Sequence, residues 1–230
     1  MSLKMNLQAN LDEILYSTKD KDLPSGLTFE QWTMNWWQWL YSKPNGDSPL
    51  HDRTWNTPMT SQNQTNQTAA SQHDPNVFFL AGTDADKSKR DCKIPANTHI
   101  LFPIATMAAT DAEFPNEDLD KLAVQGDQVE DMSLSIVNKT EGKKYELGTS
   151  ELKAYEVKSG HFKVDIPHDN ICYWVPEKRG SDAVSHGFWA FLKPLRKGEY
   201  DIKFSSRTKD DPQTLTKNCS FEVEYHLEVR

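Results

Sequence analysis

Three histidines in the chain are each followed directly by an aspartate: His51-Asp52, His73-Asp74 and His168-Asp169. Imidazole and carboxylate together make the ligand set of zinc, manganese or iron. None of the three shows the H-x-H, H-E-x-x-H or cupin-like spacing that sets two ligands on one face. Each falls in a polar stretch that reads as a loop, where His and Asp are ordinary turn residues. Arg90 carries a planar fork suited to carboxylates, and with Gln72 it flanks the apolar stretch 77–81. The pair reads either as a ligand clamp or as ties holding a long loop to a sheet. Ser185-His186 invites a nucleophile-and-base reading, but adjacent residues of a strand point to opposite faces and cannot pair. No Gly-x-Ser-x-Gly elbow, P-loop or Gly-x-Gly-x-x-Gly is present. The acidic run 111–131 lacks the D-x-D-x-D-G pattern of a calcium loop and reads as a solvated excursion with a short helix near 119–124.

The elements that must position these residues fall into two kinds. Leu7, Leu11, Ile14 and Leu15 recur at helical spacing, which predicts a short amphipathic helix over 7–17. Thr28-Phe-Glu-Gln31 is a capping box, with Leu27 and Trp32 placed as a hydrophobic staple, so a second helix is predicted from Phe29 to Ser42. Phe29, Trp32, Trp36 and Leu40 share one face of it with Trp39 beside them, a stripe that reads as core. Trp37, and Trp55 further on, are the rings predicted to be exposed. Residues 43–76 read as a long polar loop. The period then changes to two, and strands are predicted over 77–81, 99–105, 132–137, 152–157, 162–166, 184–192, 200–204 and 219–229. Lys158-Ser159-Gly160 and residues 196–199 read as hairpin turns.

Composition narrows the function classes. The formal net charge is −8, so the surface repels phosphate backbones, and nucleic acid is not an expected partner. No apolar run approaches the length that spans a bilayer. The first residues carry one Lys and no apolar h-region, so the chain as it stands reads as cytoplasmic, or as exported if a leader had been removed. Cys92, Cys172 and Cys219 form no C-x-x-C, which excludes a zinc ribbon or thioredoxin-type motif, and they read as free thiols. Asn63, Asn66, Asn138 and Asn218 open Asn-x-Ser/Thr sequons, which matter only in an exported chain.

Longer motifs add a resemblance. In order these are Phe29-x-x-Trp32-x-x-x-Trp36-Trp37-x-Trp39, Gln72-x-x-Pro75-x-Val77-Phe78-Phe79-Leu80-Ala81-Gly82-Thr83 and Arg90-x-Cys92-x-Ile94-Pro95. Later come Ile100-Leu101-Phe102-Pro103-Ile104, Phe162-x-Val164-x-Ile166-Pro167 and Gly187-Phe188-Trp189-x-Phe191-Leu192-x-Pro194-Leu195. Over roughly residues 28–229 the chain resembles a family of uncharacterised bacterial and archaeal proteins, often exported. The resemblance implies a fold and no mechanism. Members often carry a Cys in the loop before Gln72, which this chain lacks, so the resemblance implies that Cys92 is unbridged. Where this chain has His186, members often have an acidic residue.

These readings combine into one expectation. The chain is mostly β, an antiparallel, jelly-roll-like sandwich in a single domain, with one or two N-terminal helices packed on it. The favoured function is non-catalytic binding of a small ligand, glycan or protein partner, with no cofactor. The alternative is a hydrolase or metalloenzyme built on the His/Asp loops. The expected site is where the 43–76 loop meets the 77–81 strand, with Asp52, Gln72, His73, Arg90 and His186 around it.

Overall fold

The computed structural model describes residues 11–51, 74–123, 128–172, 175, 178–210 and 218–230. The tryptophan helix runs Phe29–Tyr41, and its start is the one the sequence specifies. The Thr28 hydroxyl accepts from the Gln31 amide at 3.1 Å, and the Gln31 side chain accepts from the Thr28 amide at 2.8 Å. Ten strands follow among the described residues: β1 Val77–Phe79, β2 Lys87–Ile94, β3 His99–Thr110, β4 Val129–Asn138, β5 Lys143–Gly148, β6 Glu156–Lys158, β7 Phe162–Ile166, β8 Lys178–Leu192, β9 Gly198–Thr208 and β10 Cys219–Val229. One sheet has the order β1-β3-β8-β6, with β7 also on β8, and the other β2-β10-β9-β4-β5. Alternate residues of both sheets fill one shared core, where the Phe102 and Phe204 rings meet at 5.1 Å. The arrangement is therefore mostly β and sandwich-like.

The expectation of purely antiparallel sheets is corrected. β1 runs parallel to β3, and β2 runs parallel to β10. The cause is the route of the chain. β2 lies in the second sheet, so the chain leaves β1, crosses the sandwich and returns to lay β3 beside β1 in the same direction. Side-chain charge fits the β2–β10 register. On the outer face Lys87, Lys89 and Lys93 stand opposite Glu222, Glu224 and Glu228, and Asp91 stands opposite His226. A slip of two residues either way would set Asp91 against Glu224 or Glu228, which disfavours it.

The far side of the first sheet is covered by the tryptophan helix. Trp32, Trp36 and Trp39 are buried against Phe79, Leu101, Trp189 and Phe191. The Trp36 indole donates to the Leu80 carbonyl at 2.9 Å, fixing the helix to the end of β1. Trp37 is buried too, stacked on Tyr41, which corrects its expected exposure. Trp55 lies outside the described residues.

The N-terminal segment departs from the predicted helix. Among the described residues of this segment only Leu11–Asp12 is helical. Ile14–Tyr16 then lie alongside β8, with Tyr16 donating to Phe191 and Lys193 to Ile14, each at 2.8 Å. Leu11 and Leu15 enter the shared core this way. Neither predicted hairpin forms. β6 and β7 both pair with the long β8, and residues 193–197 cross from one sheet to the other. Gly187 pairs with Thr106, just past the β3 bulge between Pro103 and Ala105. A Cβ there would come within 2.4 Å of the Ala105 carbonyl oxygen, so only glycine permits the close approach.

Candidate functional site

Two of the five expected site residues, Arg90 and His186, are among the described residues. Asp52, Gln72 and His73 lie outside the described residues. Arg90 points from β2 into the sandwich and is 1% exposed. Its guanidinium donates to the Ala81 and Gly82 carbonyls at 3.1 and 2.9 Å and to the Tyr225 hydroxyl at 2.6 Å, with the Tyr225 ring beneath it. Tyr225 in turn donates to Ala81 O. These contacts tie the chain after β1 to the second sheet. His186 stands on β8, and its Nε2 meets Glu156 Oε1 of β6 at 2.9 Å. Arg90 serves the β1 edge of the first sheet and His186 the β6 edge.

The aspartates of two of the His/Asp pairs, Asp74 and Asp169, hold loop backbone. Asp74 accepts from the Asn76 amide. Asp169 accepts from Asn45 through its carbonyl and from Gly46 through its carboxylate, which pins the chain beyond the tryptophan helix. Among the described residues, no group of three or more His, Cys, Asp or Glu could hold a metal ion.

A cleft of about 320 Å³ opens elsewhere, where the N-terminal segment, the β4–β5 turn and the β8–β9 crossover meet. Glu13 and Ile14 form one wall. Asn138, Glu141, Lys143 and Tyr145 come from the end of β4, the turn and β5. Pro194, Leu195 and Arg196 come from the crossover and Tyr200 from β9, and Ile136 and Leu195 supply an apolar floor. The chain folds this way locally because Asn138 caps the turn, its Oδ1 accepting from the Glu141 amide at 2.9 Å. The Asn138 amide nitrogen donates to the Tyr200 hydroxyl at 3.2 Å, and that hydroxyl donates to the Arg196 carbonyl at 3.0 Å. One buried network thus joins the turn, β9 and the crossover. The Asn138 sequon accordingly has its side chain buried within the fold.

Above the network sits an ion triplet. Glu141 meets Lys143 at 3.1 Å and Arg196 at 3.2 Å through different oxygens. The hydrogen bond from Lys143, with Arg196 adding to it, holds the Glu141 carboxyl below its ordinary range, and Glu141 raises Lys143 in return. Burial, reinforced by the Glu141 charge, pushes the Tyr200 hydroxyl up.

A second cleft, of about 460 Å³, lies between Thr83–Asp86 and Asn218–Phe221. It is acidic at one wall, and Cys219 stands in it with its thiol raised by burial and by Asp86.

The comparisons decide no family. No protein-family model matches the chain, and no curated protein matches it. Among solved structures, the chain is similar to a cysteine protease inhibitor from Entamoeba histolytica at 14% identity and a TM-score of 0.25, over 67% of this chain and 96% of that one. It is also similar to PbICP-C, solved in complex with falcipain-2, at 9% identity and a TM-score of 0.28, over 67% of this chain and 99% of that one. Likeness at this level carries no argument about what the chain binds.

The cleft residues escaped the sequence reading for a physical reason. Asn138 stood out only as a sequon and Arg196 only as part of a turn. Their convergence depends on β9 following the crossover into the second sheet beside β4, a pairing that no local spacing announces.

Proposed function

We propose that the chain is a non-catalytic binding protein, a two-sheet sandwich that takes a small ligand in the cleft between the β4–β5 turn and the β8–β9 crossover. The observation that carries this is the convergence of Asn138, Glu141, Arg196 and Tyr200 above an apolar floor. Small-molecule sites have this composition, an apolar surface with a few fixed polar groups, and volumes that begin near 300 Å³. The titratable groups favour binding over catalysis. General acid–base work needs a pKa near the working pH. Here Glu141 is moved down and Lys143 and Tyr200 are moved up, each away from neutrality. Shifts in these directions keep Glu141 and Lys143 charged and Tyr200 neutral at neutral pH.

The test has two arms. Chromogenic ester, phosphoester and glycoside substrates should be turned over no faster by the wild type than by Glu141→Gln. A fragment library read by thermal shift should give ligands that stabilise the wild type and no longer stabilise Lys143→Ala/Arg196→Ala. Turnover that disappears in Glu141→Gln would contradict the reading, as would ligands indifferent to the double variant.

A further inference from the structure

We propose that the ligand of this cleft is a neutral saccharide; the inference rests on the cleft being the binding site and goes on to name its occupant. The first observation is charge balance. Two acidic and two basic side chains line the cleft, and three of them are already paired: both Glu141 oxygens are engaged, one by Lys143 and one by Arg196. A carboxylate or phosphate would have to compete with Glu141 for its two cations. An ammonium would have to displace them from Glu141. A neutral ligand does neither.

The second observation is what remains unused. Arg196 spends one nitrogen on Glu141 and is 82% exposed, so most of its planar donor fork faces outward. Tyr145 packs half-buried against the core at the rim, where the cleft continues into a groove walled by Glu13, Lys143 and Lys144. An aromatic ring beside carboxylate and guanidinium groups suits a ring of alternating C–H and O–H groups. The C–H face covers the aromatic surface while the hydroxyls take the fixed donors and acceptors. The apolar floor of Ile136 and Leu195 argues against a fully solvated ion in the same place.

The experiment is isothermal titration calorimetry with methyl glucoside, N-acetylglucosamine, maltose and cellobiose, set against glucuronate, glucosamine and inorganic phosphate. At least one neutral sugar should bind. Tyr145→Ala should weaken it about tenfold, the loss for one aromatic contact of about 1.4 kcal/mol, while Tyr145→Phe stays within about twofold. Arg196→Ala changes a side chain that is 82% exposed, leaves the fold intact and should weaken the same sugar about tenfold or more, the loss of one charged hydrogen bond. Failure of every neutral sugar to bind overturns the proposal. So does glucuronate or phosphate binding more tightly than any neutral sugar; if Arg196→Ala weakens that anion, the cleft remains the site and only its occupant was misassigned. A sugar held equally by the wild type and both alanine variants overturns the proposal and the site together.

Discussion

Arg90→Ala separates a structural from a ligand-binding role for the one sequence-selected arginine that is described. The guanidinium makes three hydrogen bonds inside the sandwich. In the variant Ala81 O keeps the Tyr225 hydroxyl, but Gly82 O loses its guanidinium donor. A buried acceptor left without its donor costs about 1–3 kcal/mol. The space vacated by a side chain that was 1% exposed adds about 2 kcal/mol. Relief of the guanidinium's own desolvation offsets part of this, leaving a loss of about 3 kcal/mol. Against a total stability of about 5–15 kcal/mol the variant folds and is measurably weaker. Urea unfolding followed by tryptophan fluorescence is the assay, since Trp32, Trp36, Trp37, Trp39 and Trp189 are all buried. With a urea slope of about 2 kcal/mol/M the midpoint should fall by about 1.5 M. Tyr225→Phe should cost less, about 1–2 kcal/mol, because it removes one hydroxyl and leaves the Ala81 amide without its acceptor. The double variant should lose less than the sum, since both side chains hold the same segment. A loss below about 1 kcal/mol for Arg90→Ala would refute the anchoring role.

Trp36→Ala should cost about 3–5 kcal/mol, and Trp36→Phe less but still more than about 1 kcal/mol because Leu80 O loses its donor; chemical denaturation checks both. His99, in contact with the Tyr16 hydroxyl, has its pKa lowered by burial, with the Asp74 charge opposing. A histidine lowered in the fold contributes its stability above the unfolded value of about 6.5 and loses it as pH falls through the lower folded value, so stability should drop in mildly acidic buffer, and less so in His99→Gln. Cys92 and Cys172 are buried and Cys219 is exposed. Because thiolate is the reacting form and burial raises the Cys219 thiol, a maleimide should label Cys219 slowly at neutral pH and faster in alkali, with the other two protected until the chain unfolds. Mass spectrometry showing Cys92 or Cys172 labelled as fast as Cys219 would contradict this.

The parts of the fold that were legible in the sequence are those where local pattern and tertiary packing agree. Thr28 and Gln31 fix the helix start in both. The alternation of β10 places Val223, Tyr225, Leu227 and Val229 in the core and leaves Glu222, Glu224, His226 and Glu228 half-buried on the other face. β7 and β10 have the predicted bounds. β2 was missed because its buried face is Ser88, Arg90, Cys92 and Ile94, so an alternating strand carries almost no hydrophobic alternation. β5 was missed because it is an edge strand with only Leu147 fully inside. The stretch predicted as strand from Leu152 instead finishes a short helix, Thr149–Leu152, and becomes strand only at Glu156. The site was the least legible part. Arg90 and His186 were chosen for their chemistry, but burial turned one into a tie, and the pairing of β8 with β6 sets the other toward the opposite edge. The cleft residues have unremarkable types and become neighbours only through long-range pairing.

Amide chemical-shift mapping with a mixed library of saccharides and small fragments tests the central claim most directly. The account predicts shifts confined to Glu13–Ile14, Asn138–Tyr145 and Leu195–Tyr200, the residues that meet at the cleft. Shifts clustered at Thr83–Asp86 and Asn218–Phe221, around the second cleft, would contradict it.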